Sequence, residues 1–178
     1  MEISNCLGSS IIRIWLPSPK DFVDSKACIE RMADMLNHIL TKDQSGVEIV
    51  VQNHRKHATA LEAAEVIRKV NNSRLGLVFS MEHCIGENED IQEVYKAIKP
   101  ITKQLYIADV KLSESGLVDI LPGKGDVPIK EVYSLMGGND FKGWVTFKWE
   151  KIWRRELEEP EIALPYFIDY FSKLSQSI

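Results

Sequence analysis

The stretch LGLVFSMEH, residues 75–83, decides the fold. Leu77 and Phe79 alternate with Val78 and Ser80, a period of two that reads as a strand, and the apolar character stops at Glu82 and His83. Similar runs start near Ile11, Val47, Leu105 and Val145, each followed by helical spacing or by a loop leading to it. The predicted helices are 25–41, 58–71, 88–98, 128–136 and 160–174, and ATALEAAEVIRKV (58–70) carries the clearest amphipathic pattern. The order is β then α, five times over, with strand starts 28 to 40 residues apart. That spacing suits right-handed βαβ crossovers and a parallel sheet.

The same period sorts the strands into two faces. Ile12, Ile14, Leu16, Val47, Ile49, Val51, Leu77, Phe79, Leu105, Ile107, Val145, Phe147 and Trp149 share an apolar side for helices to cover. Arg13, Trp15, Glu48, Val50, Gln52, Val78, Ser80, Gln104, Tyr106, Thr146, Lys148 and Glu150 share the other. A doubly wound sheet is apolar on both faces, so the mixed second face favours barrel-like curvature.

Composition narrows the class. The 178 residues are 44% hydrophobic and 27% charged, with 22 basic against 26 acidic side chains and a formal net charge of −4. These values fit one globular domain over residues 1–178, and a chain of this length buries roughly 70% of its unfolded surface without a disulfide or metal staple. No apolar run approaches the roughly 20 residues of a membrane span, and MEISNCLGSS lacks a basic n-region and a long apolar h-region, so no membrane association is expected. The mildly acidic balance argues against a nucleic-acid partner. Cys6, Cys28 and Cys84 are odd in number and far apart, which reads as reduced thiols in a cytoplasmic protein.

At GVEIVVQNH (46–54), LGLVFSMEH (75–83), QLYIADVK (104–111), LPGKGDVPIKEV (121–132) and GWVTFKWEKIW (143–153) the chain resembles the sugar phosphate isomerase/epimerase superfamily. These are the xylose isomerase-like TIM barrels, which also include family 2 apurinic endonucleases. Members typically show strands ending Glu-Asn-His, Asp-Thr-Gly-His and His-Ile-Lys-Asp, then a Gly-Glu-Gly-Asp loop and a strand ending Glu-Trp-Glu. The resemblance implies an α/β fold, a partial TIM barrel whose five parallel βα units look like units four to eight of eight, with residues 1–10 similar to the end of the preceding helix.

Two departures from the family follow. A complete barrel takes about 250 residues, so three units are expected to be lost or supplied by another chain. An uncovered inner face is expected to expose Trp15, Val50, Val78 and Trp144 and to leave two unpaired edges. The expected partner is a second copy docked across the open face, or a chain carrying the missing units; an open flavodoxin-like sheet is the structural alternative. The second departure concerns the divalent ion, such as Mn or Mg, that the resemblance implies is held by Glu, Asp, His and Glu. The matching positions read Gln52, Ser80, Tyr106 and Lys148. Two neutral oxygens, a phenol and an ammonium are poor company for a cation, so no cofactor is expected.

The predicted function is therefore a degenerate, truncated family member, a pseudoenzyme that at most holds a small polar or sugar-like ligand. Its candidate contacts are Arg13, Gln52, His54, His83, Tyr106, Asp109 and Lys148, with no residue assigned as catalytic. The alternatives are an active sugar isomerase or epimerase completed by a second chain, and a subunit that covers part of a partner barrel. Lys148 is read as paired with Glu150 or Glu48, with anion binding and Schiff-base chemistry as the other possibilities. His54 and His83 either touch ligand or cap strand ends, while His38 and His57 read as surface residues. The GKGD segment, 123–126, is either a phosphate-binding nest or a plain turn. KWEKIWRRELEEPE (148–161) reads as a charge-balanced loop, Met32, Met35 and Leu36 as core-facing, and SKLSQSI (172–178) as a fraying tail.

Overall fold

The computed structural model describes residues 2–87, 90–114 and 116–178. Five parallel strands, β1 (Ile11–Ile14), β2 (Glu48–Gln52), β3 (Leu75–Ser80), β4 (Thr102–Ile107) and β7 (Trp144–Phe147), lie in the order β1-β2-β3-β4-β7 and curl into a half-barrel. Strands β5 (Asp109–Ser113) and β6 (Gly116–Ile120) form a separate antiparallel hairpin. The helices are α1 (Glu2–Cys6), α2 (Ser25–Lys42), α3 (Ala60–Val70), α4 (Met81–Glu87), α5 (Ile91–Ile98), α6 (Ile129–Leu135) and α7 (Pro160–Gln176). The strands and the predicted helices stand within a few residues of their expected bounds; for the helix expected over 88–98, its first two positions, 88 and 89, lie outside the described residues.

Register follows from the pattern. Val51 pairs with Leu77, Phe79 with Leu105 and Leu105 with Val145, so the apolar set stands together on the outer face. There it packs on buried Leu36, Leu40, Ala63, Ala64, Ile67, Val94 and Ile98 of the helices. Helix α3 shows why the amphipathic segment folds as it does. Its small buried residues let it lie close to the sheet, and Thr59 and Glu62 form a reciprocal capping box at its start. At its end Asn71 takes the left-handed conformation, φ 49°, that ends a helix.

One irregularity matters for the inner face. Leu77 pairs with Thr102 but Val78 with Gln104, so Lys103 is an extra, bulged residue on β4. Its stem crosses above Gly76, where any Cβ would overlap it, and its ammonium reaches Glu48 at 2.9 Å.

Several expectations are corrected. Val50 and Val78 are fully buried in the single chain. In register Val50 stands between Arg13 and Gly76, and Val78 between Gln52 and Gln104, so longer polar neighbours flank both valines. Of the four residues expected to be exposed, only Trp15 (46%) and Trp144 (68%) are. Met35 faces solvent, because α2 turns Met32 and Leu36 to the sheet. The tail does not fray: α7 continues to Gln176, Leu174 is buried, and Asn139 donates a hydrogen bond to the Ser175 carbonyl. The two unpaired edges are β1 and β7.

Candidate functional site at the carboxyl ends of the strands

The polar residues of the inner face gather where the parallel strands end. Arg13 donates to Gln52 Oε1 at 2.9 Å, and Gln52 Nε2 donates to Ser80 Oγ at 2.8 Å, forming a chain across β1, β2 and β3. Below it Asn53 and Ser80 exchange backbone and side-chain bonds, with Asn53 Oδ1 accepting from Ser80 N at 2.8 Å and Asn53 Nδ2 donating to Ser80 O at 3.0 Å. Gln104 donates to Thr146 at 2.8 Å, and Tyr106 stands between Ser80 and Thr146 in register. Gln52, Asn53 and Ser80 are buried and hydrogen-bonded to one another, as buried polar groups must be.

The second half of the site is ionic. Lys148 follows β7, and its ammonium lies 2.9 Å from Glu82 Oε1, 3.1 Å from Glu150 Oε1 and 3.5 Å from His83 Nε2. Burial works to lower its pKa, but the two carboxylates outweigh burial and hold it above the usual lysine value. Glu82 is 3% exposed, and burial pushes its carboxyl up against the opposing pull of Lys148. His83, 5% exposed, is pushed down to about 2 by burial first and then by Lys148, His54 and Arg55, so it is neutral near pH 7. Glu82 Oε2 and His83 Nδ1 are buried without a hydrogen-bond partner among the described residues.

Around this core runs an aromatic rim. The His54 and His83 rings lie 4.3 Å apart and His54 and His57 5.1 Å apart. His57 stacks on Trp15 at 5.8 Å, and the Arg13 guanidinium sits 4.5 Å over the Trp15 ring. His54 Nδ1 accepts from Lys56 N, so this histidine does cap the end of its strand. His83 does not: it sits in the first turn of α4 and faces Lys148. His57 is half-buried against Trp15 rather than free on the surface, whereas His38 is exposed.

The structure thus brings together Arg13, Gln52, His54, His83, Tyr106 and Lys148 of the sequence-derived set. Asp109 is committed elsewhere. Its carboxylate accepts backbone N–H bonds from Val110, Gly123, Gly125 and Val127 at 2.8 to 3.1 Å, so the nest offered by the GKGD loop already holds an anion from the chain itself. Glu48 is not a partner of Lys148. It stands four residues before Gln52, about 13 Å from the strand end, and pairs with Lys103. Glu82 is the residue the sequence reading missed. Its signal was a charge just after a strand that is apolar up to Ser80, at the position where the resembled pattern has Gly. The 148–161 loop pairs part of its charge internally, Lys151 on Glu159 at 2.8 Å, and part outside it, Arg154 on Asp119 of the hairpin at 2.6 Å and Lys148 on Glu82.

The four positions that match family metal ligands do not fit a divalent ion. Gln52 and Ser80 are spent on each other, and Lys148 brings a positive charge to the same mouth. No group of three or more His, Cys, Asp or Glu side chains among the described residues is placed to hold a metal ion. No helix among them is long and apolar enough to cross a membrane.

Parallel strands curled around a polar face, helices outside and functional groups at the carboxyl ends define a partial TIM barrel. The family model of the xylose isomerase-like TIM barrel matches residues 1–164, and the chain belongs to that family. Inosose dehydratase 1 of Bacillus cereus is 21% identical over 154 residues, covering 76% of this chain and 49% of that protein. The chain spans about half the length of the curated relatives it matches. Among solved structures, the IOLI protein with a bound zinc atom superposes with a TM-score of 0.76 at 17% identity, over 97% of this chain and 66% of that one. D-psicose 3-epimerase with D-tagatose from Clostridium cellulolyticum H10 superposes with a TM-score of 0.71 at 15% identity, over 97% and 66%.

Proposed function

We propose that the chain is a degenerate member of this family, without metal-dependent isomerase or epimerase chemistry, whose strand-end mouth at most holds a small polar, sugar-like ligand. One observation carries the reading: the Lys148 ammonium, locked between Glu82 and Glu150, stands at a position where the family pattern has an anionic metal ligand. Two carboxylates neutralise it and the His83 ring lies beside it, which leaves Lys148 neither a nucleophile for a Schiff base nor a free cation for an anionic ligand. The groups left to meet a ligand are the outer N–H groups of Arg13, the Trp15 and His57 rings and Tyr106. A working location in the cytoplasm accords with the three thiols.

Assembly belongs to the same proposal. Edges β1 and β7 and the exposed Trp15 and Trp144 support docking of a second copy, or of a chain carrying further βα units, across the open face. The reading opposed to it is an active isomerase or epimerase completed in that way, favoured by the greater length of the relatives, dehydratase and epimerase alike. A thermal titration with Mn2+ separates the two. The wild-type chain, alone or with its partner, is expected to show no shift. The variant Gln52→Glu, Ser80→Asp, Tyr106→His, Lys148→Glu is expected to gain about 2.7 kcal/mol at 100 times its dissociation constant. A saturable shift in the wild type overturns the degenerate reading.

A further inference from the structure

Glu82, Glu150 and His83 converge on one point from three directions, and that point is the Lys148 nitrogen. Two carboxylates and an imidazole are the donor types of a borderline divalent ion such as Zn2+ or Co2+, but spread around the ammonium they are not placed to hold one. The spacing tells which cation they hold now. Distances of 2.9, 3.1 and 3.5 Å are those of hydrogen bonds to an ammonium, whereas zinc needs contacts of about 2.0 to 2.2 Å. None of the three donors occupies a position of the family's ligand pattern, which falls on Gln52, Ser80, Tyr106 and Lys148.

We propose that Glu82, Glu150 and His83 form a cation site whose resident cation is the chain's own Lys148, an internal charge that ties the ends of β3 and β7 where a bound divalent ion would otherwise be needed. The inference rests on the metal-free reading of the mouth. Glu82 and His83 are both more than nine-tenths buried, and each keeps one side-chain atom without a partner among the described residues. Removing the ammonium therefore leaves a buried carboxylate with nothing to neutralise it, a state that proteins relieve by taking up a proton or a cation. The His83 Nε2 atom stands 3.5 Å from the same ammonium and 3.6 Å from the Glu82 carboxylate, so removing the ammonium leaves an imidazole beside that carboxylate.

The test uses the whole chain and two probes, Zn2+ by calorimetry and Co2+ by its ligand-field absorption. Lys148→Ala opens the site and is expected to bind Co2+ at one per chain about 100-fold more tightly than wild type. Lys148→Met fills the same space with an apolar chain and is expected to bind none. Adding Glu82→Gln to Lys148→Ala is expected to abolish the new site, and His83→Gln to change its absorption. If Lys148→Ala does not fold alone, Zn2+ is expected to restore its fold, because metal binding then supplies folding free energy. A folded Lys148→Ala variant that ignores both ions, or an unfolded one that Zn2+ does not rescue, overturns the inference and leaves the degenerate reading standing. Binding of either ion by the wild type in a way that depends on Gln52 or Ser80 overturns that reading instead.

Discussion

Replacing Asp109 with alanine is expected to be among the most damaging single changes outside the apolar core. The carboxylate accepts four backbone N–H groups: Val110 and Val127 on Oδ1, Gly123 and Gly125 on Oδ2. Hydrogen bonds to a charged acceptor contribute about 1.5 to 3 kcal/mol each, and a buried donor left unmade costs about 1 to 3 kcal/mol. Water can replace the acceptor for the part-buried glycine amides but not for those of Val110 and Val127. The expected loss is therefore about 3 to 5 kcal/mol, a large share of a typical domain's 5 to 15. Asp109→Asn keeps one oxygen but turns an NH2 group toward two donors, for an expected loss of about 2 kcal/mol. Gly125→Ala should resemble the alanine variant, since a Cβ there overlaps the Asp109 carboxylate and the Val110 carbonyl. Urea unfolding monitored by tryptophan fluorescence reads all three. A loss below about 1 kcal/mol for Asp109→Ala with an unchanged m-value would refute the anchoring role.

Further expectations concern acid, charge and the tail. The His83 pKa is depressed in the folded chain, so the unfolded state binds the extra proton and stability falls as pH drops below about 6.5, by up to about 1.4 kcal/mol per unit toward the folded value of about 2. His83→Gln should therefore lose its stability deficit against wild type as pH falls from 7 to 5, and a pH-independent difference would count against burial of the neutral ring. Lys148→Met and Glu82→Gln should each cost about 3 to 5 kcal/mol, and the double variant far less than their sum; additivity in a double-mutant cycle would show that the pair is not coupled. Deleting residues 172–178 removes buried Leu174 and the Asn139 contact, and should lower stability by about 2 kcal/mol or more; an unchanged melting temperature would mean that the last turns of α7 do not pack.

What could be read in advance was what local pattern encodes. Period-two alternation placed the five strands, their two faces and the residues at their carboxyl ends, because a parallel strand that buries one face on helices has little freedom of register. Helix α4 escaped because it begins within the strand motif itself, Met81 following Ser80 with no turn residue between. The β5–β6 hairpin escaped because DVKLSESGLVDI mixes charged and apolar residues in two short runs, and because it is tied down through bonds of its own Asp109 to the 123–127 loop and by Arg154 from outside. Burial of Val50 and Val78 involves neighbours on adjacent strands, Arg13, Gln52 and Gln104, and such cross-strand neighbours leave no periodic trace in the sequence. Glu82 could be suspected from its neighbours, but its partner lies 66 residues away, and only the curl of the sheet brings the ends of β3 and β7 within a hydrogen bond.

The most direct test is an electron paramagnetic resonance titration of the wild-type chain with Mn2+ near pH 7. If an ammonium holds the place of the family's ion, every equivalent added gives the signal of free aqueous Mn2+. One equivalent silenced per chain, and released when Ser80 or Gln52 is replaced by alanine, would contradict the account at its root.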